Sequence, residues 1–279
     1  MHSIFLKIPM IVYNANVNGN AHVSGIPSMT SIDGVVHNIE RKLRQFDEDF
    51  YVEKWSYIVE KMEYRSGTKR FIPCRTKEKG SVNAAMDDEK LAHIEQTIII
   101  EVNSSQSISE WKNKRDEGIL NHIFAGIVFN GGTTRIRTSN GNVRLSFRSS
   151  LLETLKSLPP SALLIEDKTH LITILKKEGE NNLSAIIRIL NTELDDYQGY
   201  LIPVAIGYYA ISSLEERKDQ RMKGRKHIYA EPVIGMARAR TVASSILNID
   251  SDDFKPSWYN AKFDENQNIS EKYYIIQGK

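Results

Sequence analysis

Residues 4–46, IFLKIPMIVYNANVNGNAHVSGIPSMTSIDGVVHNIERKLRQF, decide how the chain is to be read. The stretch 4–13 is rich in β-branched and aromatic side chains and runs into the turn-prone NANVNGN, so it reads as a strand and a loop. From Ser31 the pattern changes. Ile32, Val35, Val36, Ile39, Leu43 and Phe46 recur at spacings of three and four, which predicts an amphipathic helix with Ser31 as its N-cap. Glu40, Arg41, Lys42 and Arg44 form its solvent face.

The same two periods continue outward. Residues 51–64, YVEKWSYIVEKMEY, and 94–102, IEQTIIIEV, read as two more strands. Between them lies an excursion holding Lys69, Arg70, Arg75, Lys77 and Lys79 ahead of the acidic Asp87–Glu89, of a length unusual inside a compact sheet unless the segment is functional or mobile. The segment 107–123, SISEWKNKRDEGILNHI, predicts a helix capped by Ser107 or Ser109, and FAGIVF at 124–129 a fourth strand. The order β-α-β-β-α-β predicts an α+β chain of the ferredoxin-like or RNA-recognition-motif type, with a long insertion between its second and third strands. The second half is less regular. It offers a short helix near 150–158, an apolar run SALLIE at 161–166, and helices around 167–177 and 182–193. A strand follows at 199–212, GYLIPVAIGYYAIS, edge or bulged because of Pro203 and Gly207, then a turn and helix over 231–249 and a last strand in YYIIQGK. The expected division is a body over 1–145, with its insertion at about 65–93, and an extension over 146–279 packed on it.

The chain has 279 residues, 41% of them hydrophobic, enough for a substantial core. One cysteine, Cys74, excludes an internal disulfide and any cysteine-based zinc site, and cytoplasm is the default compartment. Lys7 and Pro9 interrupt the apolar N-terminus, which reads as a strand rather than a signal, and no run approaches the roughly 18 apolar residues that span a bilayer. No membrane partner is expected. With 37 Lys plus Arg against 35 Asp plus Glu, net charge gives no argument for nucleic acid. Its distribution is more telling. Six cations fall between Arg217 and Lys226, and the stretch 135–148, RIRTSNGNVRLSFR, has four arginines and no acid; both suit either a solvated loop or phosphate contact.

No P-loop, G-x-S-x-G elbow, H-E-x-x-H or G-x-G-x-x-G motif occurs, and the seven histidines show no metal spacing, so no cofactor or metal is expected. A metal-independent ribonuclease leaves no local motif, and His227 beside Lys226 and Tyr229 is the nearest local candidate, against a plain strand with alternating faces. Gly131 and Gly132 follow the fourth strand, either as a hairpin turn or where backbone approaches another chain closely.

Several blocks together resemble one family. Residues 8–43, with a strand, Asn-Ala-Asn, a Gly-apolar-Pro turn and a helix ending in basic residues, resemble the opening of the Csy-two proteins, the type I-F members of the Cas-five family. DEKLAHIEQTIIIEV, IFAGIVFNGGTT, GYLIPVAIGYYAISSL and KHIYAEPVIGMARART are similar to later blocks of that family in the same order. The resemblance covers most of the chain, from about residue 4 to 245, and departs from the pattern at Ser24 and Ile26, where aromatics are usual. It implies a modified RNA-recognition (RAMP) fold with a protruding thumb hairpin, which the 65–93 insertion supplies. It also implies a non-enzymatic subunit that caps the 5′ handle of crRNA in a Cascade-type surveillance complex. Its expected partners are a Cas-seven-type backbone subunit, a Cas-eight-type large subunit where present, and target DNA. A Cas-five-type endoribonuclease that processes precursor crRNA, or a mimic that blocks assembly, are the alternatives.

Single-stranded RNA is held by cations on phosphates, aromatic platforms and polar groups at base edges. On that division Asn14 and Asn16 are candidates for base edges, and Arg135, Arg137, Arg217, Arg221, Lys223, Arg225 and Lys226 for phosphate. Tyr208, Tyr209 and Tyr229 are candidates for stacking, and Arg70, Phe71 and Arg75 for target or subunit contact through the thumb.

Overall fold

The computed structural model describes residues 2–19, 23–72, 85–192, 199–216, 224, 226–252, 254–261 and 273–278. Strand β1 (His2–Asn16) turns Ile4, Leu6, Ile8, Met10 and Val12 to one side, all buried, as a period of two requires. Helix α1 (Met29–Leu43) lays Met29, Ile32, Val35, Val36, Ile39 and Leu43 into the same core. Its N-cap is Ser28 rather than Ser31: the Ser28 hydroxyl accepts the Ser31 N–H at 3.2 Å, which starts the helix earlier than its apolar period does.

Strands β2 (Tyr51–Ile72) and β3 (Ala85–Ser104) pair antiparallel from Tyr51 opposite Asn103 to Ile72 opposite Ala85. β1 follows β3 only as far as Leu91, so the backbone of 66–72 and 85–90 runs on as a two-stranded arm. Helix α2 (Ile108–Asp116) opens on a capping box between Ser107 and Glu110. Gly118, at φ +75°, turns the chain before α3 (Asn121–Phe124), so the expected single helix is two.

Strands β4 (Val128–Phe129) and β5 (Gly132–Ile136) form a hairpin. The expected fourth strand thus keeps only its last two residues, and β5 lies beside β1, from Met10 to Tyr13. A small hairpin of β6 (Thr138–Ser139) and β7 (Asn142–Val143) interrupts the path before β8 (Ser146–Arg148) returns to β1 beside Phe5–Lys7.

The rest comprises α4 (Leu151–Leu155), β9 (Leu163–Asp167), α5 (His170–Leu175), α6 (Asn182–Leu190), β10 (Tyr200–Ala210), β11 (Ala230–Thr241), α7 (Val242–Leu247), β12 (Trp258–Ala261) and β13 (Tyr273–Gly278). One large antiparallel sheet runs β12-β13-β10-β11-β9-β2-β3-β1-β5-β4. β10 is interior rather than an edge, with a register shift between Ala205 and Gly207, and among the described residues β13 pairs with Gly207–Tyr209 and leaves Pro203 without a ladder partner on that side. The expected turn over the start of 231–249 is instead the twelve-residue β11. Its alternation is disguised by Arg238 and Arg240, buried around Glu166 of β9 with N···O distances of 2.6 and 3.3 Å.

Trp258 on β12 pairs with Trp55 on β2, so the pairings β2-β9-β11-β10-β13-β12-β2 close a ring. The two indoles stack with centroids 6.2 Å apart, and Trp258 Nε1 donates to the Ile165 carbonyl at 2.8 Å. α1 packs on β2, β10 and β13. On the opposite side of the β1–β3 region, α4 and α7 bury Ile58, Ile99 and Leu164 with Leu155, Leu158 and Val242, and α5 and α6 cover Met236 of β11.

Candidate nucleic-acid interface

β1 turns its odd-numbered residues away from α1, and residues directly opposite on neighbouring strands share that face. From one end they are Tyr13, Ile11, Pro9, Lys7 and Phe5, a span of about 26 Å. On β5 Thr133 stands opposite Tyr13 and Arg135 opposite Ile11. Arg137 N–H donates to the Pro9 carbonyl, Arg144 N–H to the Arg137 carbonyl, and β8 sets Arg148 opposite Phe5. Phe5 packs under α4 and α7, whereas the Ile11–Tyr13 end lies open.

Five cations therefore line one edge of this face. Arg137 is engaged, by Glu95 at 2.6 Å and Glu60 at 3.1 Å, and Glu60 also accepts from Thr97 Oγ1 at 2.7 Å. Arg135, Arg144 and Arg148 have no carboxylate partner among the described residues. Lys7 Nζ donates to Ser157 Oγ at 2.8 Å. Its ammonium is held below its ordinary pKa, first by burial and then by the fields of Arg144 and Arg148, against the weaker pull of Glu60. Cations crowded in this way favour an anion between them.

At the open end, β1 shifts register against β3 between Val12 and Ala15. Asn14 takes a left-handed φ of 56°, which asparagine tolerates. Its N–H donates to His93 Nδ1 at 3.1 Å, and the Tyr13 ring stands edge-on to that imidazole at 5.3 Å. Tyr13 is 39% exposed, and the Asn14 carboxamide is exposed with no hydrogen-bond partner among the described residues. Gly132 docks into the bulge so closely that a Cβ there would lie 2.7 Å from the Tyr13 carbonyl oxygen.

The family model of the CRISPR-associated protein Cas_Csy2 matches residues 6–268. The chain belongs to the Csy2 family. It is therefore a type I-F CRISPR-associated subunit. None of the curated proteins matches the chain.

In this Csy2-family chain the anticipated residues fall into separate groups. Asn14 and Arg135 lie at the open end of the β1 face, with Arg137 tied into its carboxylates. Asn16 is half-buried, and its Oδ1 accepts the Asn18 N–H at 2.8 Å within the loop that follows β1. Tyr208, 46% exposed, is on β10 and Tyr229, 59% exposed, just precedes β11; four strands separate β10 from β1 in the sheet order, while the loop after β1 reaches β10 where a Cβ on Gly19 would lie 3.2 Å from Ala205 Cβ. Tyr209 is half-buried opposite Glu231, and Lys226 is exposed. Arg217, Arg221, Lys223, Arg225 and Arg75 lie outside the described residues; Arg70 and Phe71 are opposite Asp87 and Met86 along the arm. His227 exchanges backbone hydrogen bonds with Glu215, and its Nε2 is buried with no hydrogen-bond partner among the described residues.

Sequence reasoning missed Lys7, Arg144, Arg148 and His93. The acid-free run 135–148 was the visible signal for the two arginines; nothing local announces that β8 brings them to Lys7. Among the described residues no helix is long and apolar enough to cross a membrane.

Proposed function

We propose that this Csy2-family protein is the non-catalytic subunit that holds the 5′ handle of crRNA in a type I-F surveillance complex, with the outward face of β1 as its RNA surface. The observation that carries the reading is Arg144 and Arg148 beside Lys7, with Arg135 further along the same face opposite Ile11, the three arginines without carboxylate partners among the described residues. Phosphate positions a strand on such a row, and an exposed ring at its end gives an unstacked base somewhere to lie. The strand order β5-β1-β3-β2, with α1 and α2 as its connections, supports a ferredoxin-like, RNA-recognition body. On this reading the arm of β2 and β3 is the thumb, directed at a Cas-seven-type backbone subunit or at target DNA.

The test is a mobility shift of crRNA with an intact or scrambled handle, across a salt series, with this protein alone and with its backbone partner. Handle-dependent binding is expected. Replacing Arg135, Arg144 and Arg148 by alanine should lower the salt slope by about 2, at roughly 0.7 per lost phosphate contact on single strands. An unchanged slope, or binding that ignores the handle, would overturn the assignment. Incubation with repeat RNA in EDTA checks the non-catalytic part: specific cleavage would establish the endoribonuclease instead.

A further inference from the structure

The bulge at the end of β1 has no evident packing reason for its chemistry. Glycine would accept the φ of 56° at position 14 with less strain, yet the chain places a carboxamide there and leaves it in solvent beside a half-exposed ring. Three features hold that pair in place. Gly132 fills the hollow of the bulge, with its hypothetical Cβ 2.8 Å from Val12 Cγ1 and 2.9 Å from Ala15 N. Asn130 brackets it, its Nδ2 donating to the Asn16 carbonyl at 3.0 Å while its own carbonyl accepts the Asn16 N–H at 2.9 Å. His93 accepts the Asn14 N–H through Nδ1, so the neutral imidazole carries its proton on Nε2, and the ring braces Tyr13 edge-on. Bulges beside binding sites commonly serve to re-aim a side chain.

We infer that this bulge is a single-nucleobase subsite: one unstacked base lies on Tyr13 and is read along its edge by the Asn14 carboxamide, with His93 as the positioning residue. Adenine is the fitting base, because its N6 donor and N7 acceptor meet the acceptor and donor of a carboxamide on one edge. The inference deepens the RNA reading above and rests on it. The cation row carries no base information, so the two parts separate experimentally.

The experiment scans the crRNA handle with abasic substitutions, one position at a time, against the wild type, Asn14→Gly and Tyr13→Ala. Asn14→Gly keeps the backbone conformation and removes only the carboxamide, so it stays interpretable even if Tyr13→Ala folds poorly. One position is expected at which removing the base weakens wild-type binding about tenfold or more. At that position alone Tyr13→Ala should have lost the sensitivity and Asn14→Gly the preference among bases and the share of the penalty due to edge contact, with salt slopes unchanged, and adenine should bind the wild type tightest of the four bases. His93→Gln should weaken the adenine preference while leaving the abasic penalty largely in place. Wild-type binding with the expected salt slope, but with Asn14→Gly indistinguishable from it at every position, would overturn the subsite and leave the RNA surface standing. Another base bound tightest would overturn the adenine assignment, and absence of any RNA binding would overturn the function and the subsite together.

Discussion

The two adjacent glycines of the β4–β5 turn should respond to alanine for different reasons and by different amounts. Gly131 is at φ +72° with open space around its hypothetical Cβ. Gly131→Ala therefore meets only the left-handed backbone penalty, about 1 kcal/mol. At Gly132 a Cβ would lie 2.7 Å from the Tyr13 carbonyl oxygen, 2.8 Å from Val12 Cγ1 and 2.9 Å from Ala15 N, and the two backbone atoms cannot swing aside. Overpacking there costs about 1–3 kcal/mol. Pushing β5 off the bulge also loosens the two Asn16–Asn130 hydrogen bonds, worth about 1 kcal/mol each. Gly132→Ala should thus lose about 3–5 kcal/mol, a drop in Tm on the order of 10 °C for a chain of this size. Urea unfolding of both variants measures the difference. A loss at Gly132 no larger than that at Gly131 would refute the close approach of β5 to β1.

Lys7→Met should raise thermal stability near neutral pH and weaken RNA binding. The folded pKa of Lys7 lies below its unfolded value, so its charge costs stability at pH 7, and the gain should fade as the pH rises through the lowered value; melting curves at pH 7 and 10 check this. Asp47 shows the opposite sign: burial works against its charge, but hydrogen bonds from Ser104, Ser105 and the Asp49 N–H outweigh it and hold the carboxyl below its usual range. Its stability is present above the unfolded carboxylate range and lost as pH falls through the lowered value, so Asp47→Asn should lose about 2–3 kcal/mol at pH 7 and flatten the acid limb of unfolding. Trp258→Ala should cost about 3–5 kcal/mol in denaturant unfolding, since it removes a buried ring stacked on Trp55 and the donor to the Ile165 carbonyl.

Much of the first half was legible because each element there carries its own signal. β1 and β3 are β-branched, α1 has its apolar period, and α2 has a capping box within four residues. The fourth strand was not. FAGIVF has strand composition, but Gly126 at φ +70° bends it away, and the edge of β1 goes to two short segments separated by a hairpin. β11 hid for another reason: two buried arginines look like surface until Glu166, from a strand distant in sequence, is brought between them. The site divided in the same way. Asn14 and Arg135 were visible as residue types near a turn. Lys7 read as an interruption of an apolar run, and His93 as one of seven scattered histidines. Their partnership depends on register across strands, which a linear pattern does not carry.

The stacked tryptophans that close the ring set a schedule on the ribosome. Ser56 and Ser257, joined at 3.0 Å, are 201 residues apart, so the face of the Trp55 indole that stacks on Trp258 stays uncovered until the strand bearing Trp258 has been made. At roughly 5–20 residues per second that wait is on the order of 10–40 seconds. For that interval the nascent body exposes apolar surface at the strand from which the arm projects. Holding chaperones, or co-expressed partner subunits that dock early, should accordingly raise the yield of this chain more than that of one whose contacts are mostly local.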